Sequence, residues 1–223
     1  LNNYKSNKPK NNSKVPTKLN TKLKKKLISE LSLFMGLGII KARKLVDEGL
    51  TDINQLYLKK WKEKLPEETR VWLELKPSKD IPNSNIKKIE PYINKLKNKN
   101  REIIFTGSYR RGKKTSNDID IMIVSKNKNE INNFIEDLKK EFNNKLYPYS
   151  RGSDKASFII DVTNIICKKK KNIYKVDVFR VIPKNKVPML LYSTGSKINN
   201  IKMRSKAKKM GMLLNQKGLF KIN

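Results

Sequence analysis

The spacing of apolar residues divides this chain into stretches of different character. Residues 1–26 are mostly Lys, Asn, Ser and Pro, a composition that buries too little surface to fold, so they read as a basic disordered tail. From Leu27 onward, Leu27, Ile28, Leu31, Phe34 and Met35 fall on one helix face; Gly36-Leu37-Gly38 follows, then a helix from Ile39 to Glu48 ending at Gly49. This is helix, tight glycine turn, helix. Thr51 is placed to cap a further short helix, and Pro66-Glu67-Glu68 puts a proline and two acids where the first turn of a helix to Leu75 wants them. Ile81-Pro82 marks a break, and a helix is predicted over 84–98. Strands are predicted over 102–106, 119–124, 156–166 and 174–182, with a helix over 130–142. Beyond Pro183 and Pro188 the chain reads helical through Leu190-Leu191, turns at Thr194-Gly195-Ser196, is helical over 198–210 and ends in a short hairpin. A helical domain over 27–80, an α+β sheet domain over 81–183 and a smaller region over 184–223 follow from this pattern.

Charge narrows the function. The 223 residues hold 52 Lys and Arg against 20 Asp and Glu, a formal net charge of +32, and no His. Without His there is no Ser-His-Asp or Cys-His pair, no HExxH zinc site and no imidazole base. The single cysteine, Cys167, cannot form an internal disulfide, and no apolar run reaches the roughly 18 residues of a membrane span. The expectation is an intracellular protein of a reducing compartment, with nucleus and cytoplasm both open. So basic a surface calls for a polyanion, nucleic acid first and an anionic membrane second, although no basic amphipathic helix stands out. Self-repulsion at this charge favours a monomer. Only eight of the basic residues are Arg, and abundant Lys and Asn also follow from AT-rich coding, which makes each Arg more informative than each Lys.

The chemistry concentrates in Gly107-Ser108-Tyr109-Arg110-Arg111-Gly112, a turn through Ser116-Asn117, and Asp118-Ile119-Asp120 entering the apolar Ile121 to Val124. Residues i and i+2 of a strand share a face, so Asp118 and Asp120 present two carboxylates side by side. The pair suits two divalent ions about 3.5–4 Å apart, one activating a hydroxyl and one holding phosphate oxygens. Asp177, in Lys175-Val176-Asp177-Val178-Phe179, alternates correctly to supply a third carboxylate. Gly107-Ser108 offers backbone N–H groups and a hydroxyl, and Arg111 a fork for a triphosphate. Alone, Asp-x-Asp after a polar turn is ordinary turn chemistry, and Gly-x-Gly between helices an ordinary tight turn. The combination favours a site, because strand carboxylates left unpartnered cost several kcal/mol.

Gly107 to Val124 resembles the nucleotidyltransferase signature of the family X DNA polymerases, the group of polymerases beta, lambda, mu and terminal transferase. The likeness holds in order and spacing over residues 30–220. Leu31 to Leu56 (LSLFMGLGIIKARKLVDEGLTDINQL) resembles the helix-hairpin-helix of the family's fingers, and Ile81-Pro82 the lead-in to its palm. Lys175 to Phe179 matches the strand bearing its third metal aspartate. Leu191-Tyr192-Ser193-Thr194-Gly195-Ser196, with Asn200 and Arg204, matches the nucleotide-contacting start of its thumb.

The resemblance implies an α+β fold with helical fingers, a nucleotidyltransferase-type palm sheet and a short thumb that stops before the family's closing helices. It implies that Asp118 and Asp120 bind two Mg²⁺ ions, with Mn²⁺ able to substitute, and that Asp177 holds the catalytic ion and helps activate the primer 3′-hydroxyl. Gly107, Ser108, Arg111, Ser116 and Asn117 would cradle the incoming triphosphate, and Tyr192, Gly195 and Asn200 would line its sugar and base side. Arg204 would touch the template strand. Gly36 and Gly38 would let backbone N–H groups approach a DNA phosphate, with Lys41 and Lys175 as further DNA contacts, and the carbonyls of Ser32, Phe34 and Leu37 would hold Na⁺ or K⁺. The implied activity is template-directed short-gap filling of base-excision-repair type on gapped or primed duplex DNA with dNTPs. No counterpart of the family's lyase domain and no exonuclease constellation is read, so neither deoxyribose phosphate removal nor proofreading is expected. The short connection Arg151 to Ala156 argues against the long palm loop of template-independent members. A template-independent nucleotidyltransferase stays open, disfavoured by Gly36-Leu37-Gly38, as does an inactive truncated fragment that binds DNA. Three departures bear on function: Ser193 replaces the family's Phe, Asn117 replaces the Gly of beta-like and lambda-like members, and Lys175 replaces an Arg of beta-like members.

Overall fold

The computed structural model describes residues 19–168 and 170–222, so residues 1–18 of the expected tail lie outside it. The end of that tail is helical: α1 runs Thr21–Leu31, its first turn closed by the Asn20 side chain accepting from Leu23 N at 2.9 Å. An Asn cap and buried Leu27 and Leu31, one turn apart, outweigh the charge of the Lys run.

The described residues form two compact units, divided between Arg70 and Val71. The division thus comes before the expected 80/81: Ser78 N donates to Ile173 O and Ile81 pairs with Ser116, which ties this connector to the second unit. In the first unit α2 is Ile39–Asp47, a 3₁₀ turn spans Ile53–Tyr57, α3 is Lys59–Lys62, and α4, Glu67–Leu75, crosses the division. The 3₁₀ turn is capped by Asp52, which accepts from Asn54 N at 2.7 Å; Thr51, expected as the cap, instead bonds both ways with the Gln55 side chain. Between α1 and α2, Gly36 takes φ +76°, and a Cβ there would meet Thr69 Oγ1 at 3.2 Å. The same Thr69 hydroxyl donates to Met35 O at 2.5 Å and holds the turn.

The second unit opens with β1 (Ile81–Pro82), α5 (Asn83–Asn94), β2 (Glu102–Phe105), α6 (Gly107–Arg110), β3 (Thr115–Ser116) and β4 (Ile119–Val124). It continues with α7 (Glu130–Glu141), β5 (Leu146–Arg151), β6 (Lys155–Asp161), α8 (Thr163–Ile166) and β7 (Ile173–Val181). After a 3₁₀ turn come α9 (Lys186–Thr194), α10 (Lys197–Lys209) and the hairpin β8 (Met212–Asn215) to β9 (Gly218–Lys221). Helix α5 stops four residues before the expected 98, where a tight turn with reciprocal Asn98–Arg101 backbone bonds sets up β2. The strand expected over 156–166 ends at Asp161, whose carboxylate accepts from Thr163 N and starts α8. β5 escapes the pattern because of Pro148, tolerated here on an edge strand with an irregular register.

The main sheet has the order β2-β4-β7-β6-β5, with β4 and β7 parallel and the other pairs antiparallel. Strand alternation gives it two faces. Ile119, Ile121, Ile123, Val176 and Val178 join Ile86, Ile89, Phe134 and Leu138 in the main core. On the other face, Met122, Val124 and Val181 pack with Met189 and Leu190 of α9. Asp120 is two residues from Met122 and so belongs to this second face, beyond the edge of its apolar cluster.

Candidate active site

The register of the parallel pair sets Asp120 directly beside Asp177. One carboxylate oxygen from each of Asp118, Asp120 and Asp177 lies within 4.8 Å of the other two. Lys175 Nζ reaches Asp118 Oδ2 at 3.2 Å and Asp177 Oδ2 at 2.9 Å. Among the described residues nothing donates a hydrogen bond to the Asp120 side chain. Burial, and secondarily the charges of Asp118 and Asp177, push the Asp120 carboxyl up to about 7, against the pull of Lys175 and Lys155. A cluster of hard oxygen donors whose charge is incompletely balanced suits a hard divalent cation, and the residues present fit one.

Gly107 makes the approach possible. It takes φ +60°, and a Cβ there would overlap the Asp120 carboxylate. Ser108 Oγ donates to Ser116 Oγ at 2.7 Å, joining α6 to β3. Tyr109 anchors the loop from below: its ring meets Phe105 edge-on at 5.6 Å, and its hydroxyl donates to Glu90 at 2.5 Å. Burial, then that bond, raise the Tyr109 pKa, so the phenol keeps its proton. The Arg111 guanidinium donates to Thr194 O, against Gly195 at φ +74°. Asn200 Nδ2 donates to Tyr192 O at 2.8 Å, and the Arg204 guanidinium lies over the Tyr192 ring, 5.1 Å from its centre.

One open cleft of about 690 Å³ is lined by Gly107, Ser108, Arg111, Ser116, Asn117, Asp118, Asp120, Tyr192, Gly195, Asn200 and Arg204. These residues of the triphosphate, sugar and metal sets are thus brought together, with Asp177 and Lys175 joined to them through the carboxylate cluster. Ser32, Phe34, Gly36, Leu37, Gly38 and Lys41 belong to the first unit. There the Phe34 carbonyl accepts from Leu37 N at 3.2 Å, and Gly38 starts α2.

Sequence reasoning missed Lys155 and Phe179, which also line the cleft, with Lys155 Nζ 5.5 Å from the Phe179 ring centre. The signal was strand alternation: Phe179 is two residues from Asp177, and Lys155 pairs directly with Phe179. Ser157 was missed too. Its hydroxyl, in an otherwise apolar run, donates to Asp177 Oδ1.

Two family models match this chain: DNA polymerase beta palm over residues 80–150 and DNA polymerase beta thumb over residues 189–223. Two curated relatives, each named repair DNA polymerase X, come from African swine fever virus isolates, one from a South African tick and one from a Namibian warthog. They are 31% and 30% identical to this chain over 122 residues, which is 54% of this chain and 65% of each relative. The match thus spans just under two thirds of the relatives' own length.

Proposed function

The chain belongs to family X of the DNA polymerases, and from that premise we propose that it fills short gaps in duplex DNA by template-directed nucleotidyl transfer to a primer 3′-end. The observation that carries this reading is the meeting of Asp118, Asp120 and Asp177 in the cleft that also holds Gly107, Ser108 and Arg111. The primer 3′-oxygen attacks the α-phosphorus of a dNTP, the bond to the bridging oxygen of the β-phosphate breaks, and pyrophosphate leaves. Asp118, Asp120 and Asp177 would hold two divalent ions, Mg²⁺ in the first instance, which when bound acidify the attacking hydroxyl and offset charge on the phosphates.

The residues of the chain supply orientation. Backbone N–H groups at Gly107 and Asn117, with the hydroxyls of Ser108 and Ser116, would cradle the triphosphate in the cleft they line, and Arg111 would add a fork of donors. Tyr192, Gly195 and Asn200 bound the sugar and base side, and Arg204 is available to the template strand. Lys155 and Lys175 balance the carboxylates before substrate arrives. In the first unit, Gly36, Gly38 and Lys41 would grip a DNA phosphate, and the carbonyls of Ser32, Phe34 and Leu37 would hold a Na⁺ or K⁺ ion there. The formal charge of +32 supports a polyanionic partner. No described helix is long and apolar enough to cross a membrane.

The test is Mg²⁺-dependent primer extension on a one-nucleotide gapped duplex, wild type against Asp120→Ala and Asp177→Ala. Template-matched addition by wild type, lost in both variants, is expected. Addition without regard to template would favour the template-independent nucleotidyltransferase, against which the short 152–154 connection between β5 and β6 weighs. DNA binding without any addition by wild type would refute catalysis and leave a DNA-binding fragment.

A further inference from the structure

Ser157 stands apart from the groups given a role above. It is 4% exposed and sits in β6 within Ala156-Ser157-Phe158-Ile159-Ile160, a run whose other members are all buried and apolar. Directly opposite residues of an antiparallel pair point to one face, and Ser157 lies directly opposite Asp177. Its hydroxyl donates to Asp177 Oδ1.

The two oxygens of Asp177 therefore have different surroundings. Oδ1 is tied back to the neighbouring strand. Oδ2 shares the Lys175 ammonium with Asp118 Oδ2, at 2.9 and 3.2 Å. A carboxylate free to turn about its last side-chain bond can offer a cation both oxygens and fill two coordination positions. One whose Oδ1 is engaged by a donor offers one, leaving room in an octahedral shell for substrate oxygens. An apolar residue would fill this buried position without needing a partner; a hydroxyl here needs an acceptor, and the one it has is the acid.

We infer that Ser157 is a positioning residue for Asp177: its hydroxyl fixes the plane of that carboxylate and reserves Oδ2 for a divalent ion shared with Asp118 and Asp120. This rests on the reading of the three acids as a metal-binding set. Groups that hydrogen-bond a ligating carboxylate orient it, and their loss weakens metal binding without touching the metal.

The experiment uses the full chain and Mn²⁺ alone as probe, with the free ion followed by electron paramagnetic resonance. Ser157→Ala is expected to weaken Mn²⁺ binding by about tenfold, and Ser157→Thr, which keeps the hydroxyl, by no more than about threefold. In gap filling, the Mg²⁺ concentration for half-maximal rate should rise in Ser157→Ala by the same factor, with the KM for dNTP within about twofold of wild type. Wild-type Mn²⁺ affinity in Ser157→Ala would overturn the inference. So would equal loss in the Ala and Thr variants, since that would make the position one of packing alone. Should Ser157→Ala not fold, Ser157→Cys keeps the volume with a far weaker donor, and wild-type affinity there overturns the inference equally. Asp177→Asn separates the two levels. If it binds Mn²⁺ and extends primers as wild type does, the metal-site reading itself fails; if it loses both while Ser157→Ala keeps both, only the role of Ser157 fails.

Discussion

Asp120→Asn should make the metal-free protein more stable at alkaline pH. Its carboxyl is raised from an ordinary 3.8 to about 7 by burial, then by the charges of Asp118 and Asp177. Between those values the native state keeps a proton that the unfolded chain has released, so stability falls as pH rises through the window, and above about pH 7 the whole penalty is present. Roughly three pKa units at about 1.4 kcal/mol each set an upper bound near 4 kcal/mol. Partial solvent access and the positive charge of the rest of the molecule reduce this to about 2 kcal/mol, or a rise of about 4–8 °C in Tm at pH 8. At pH 4 and below the wild-type carboxyl is itself protonated and the two proteins should melt nearly together. The assay is thermal denaturation of both proteins in chelator across pH 4–8, then with added Mg²⁺, which should raise the Tm of wild type more than that of the variant. A variant no more stable than wild type at pH 8, or a difference that does not change with pH, would refute the argument that buried like charges meet at this site.

Other outcomes follow from geometry. Gly107→Ala should abolish extension and cost about 1–3 kcal/mol in a urea melt, because the new methyl must displace the Asp120 carboxylate at a φ that L residues avoid. Arg101, 3% exposed, donates to Glu130 at 2.5 Å and to Asp137 at 2.7 Å; Arg101→Leu strands a buried Glu130 and should cost about 3–5 kcal/mol by urea denaturation. Arg101→Leu with Glu130→Leu should recover most of that loss. DNA affinity measured by fluorescence anisotropy should fall steeply and linearly in log–log form with salt, and a flat response would argue against phosphate contacts as the source of binding.

Much of the site was legible because its chemistry is local. Gly107, Ser108, Arg111, Asp118 and Asp120 fall within a short stretch, and the alternation that places two acids on one face needs no tertiary information. Asp177 needed only a second strand in phase. What escaped depends on which strands become neighbours: Ser157 and Lys155 acquire meaning only when β6 lies against β7 in one register. Only the first part of α1, Thr21 to Lys26, is hidden, because the density of Lys there masks the Asn20 cap that starts the helix six residues before Leu27. β5 was hidden by Pro148, which a central strand would not accept but an edge does.

The parallel register of β4 and β7 has a consequence for how the chain finds its fold. Asp120 and Asp177 are level with one another, with Ile121 and Val178 one step along and facing the opposite core. A slip of β4 by one residue would turn every side chain over, driving Asp120 into the isoleucine-rich face and turning Ile119 and Ile121 out into the carboxylate-lined cleft. Mispairing of two apolar strands is ordinarily forgiving, since one isoleucine replaces another. Here the acids make that error costly, so they also act as alignment marks for the centre of the sheet. Replacing both Asp118 and Asp120 with apolar residues would therefore weaken the specification of the sheet as well as the chemistry, and the price would be paid in misregistered chains during refolding.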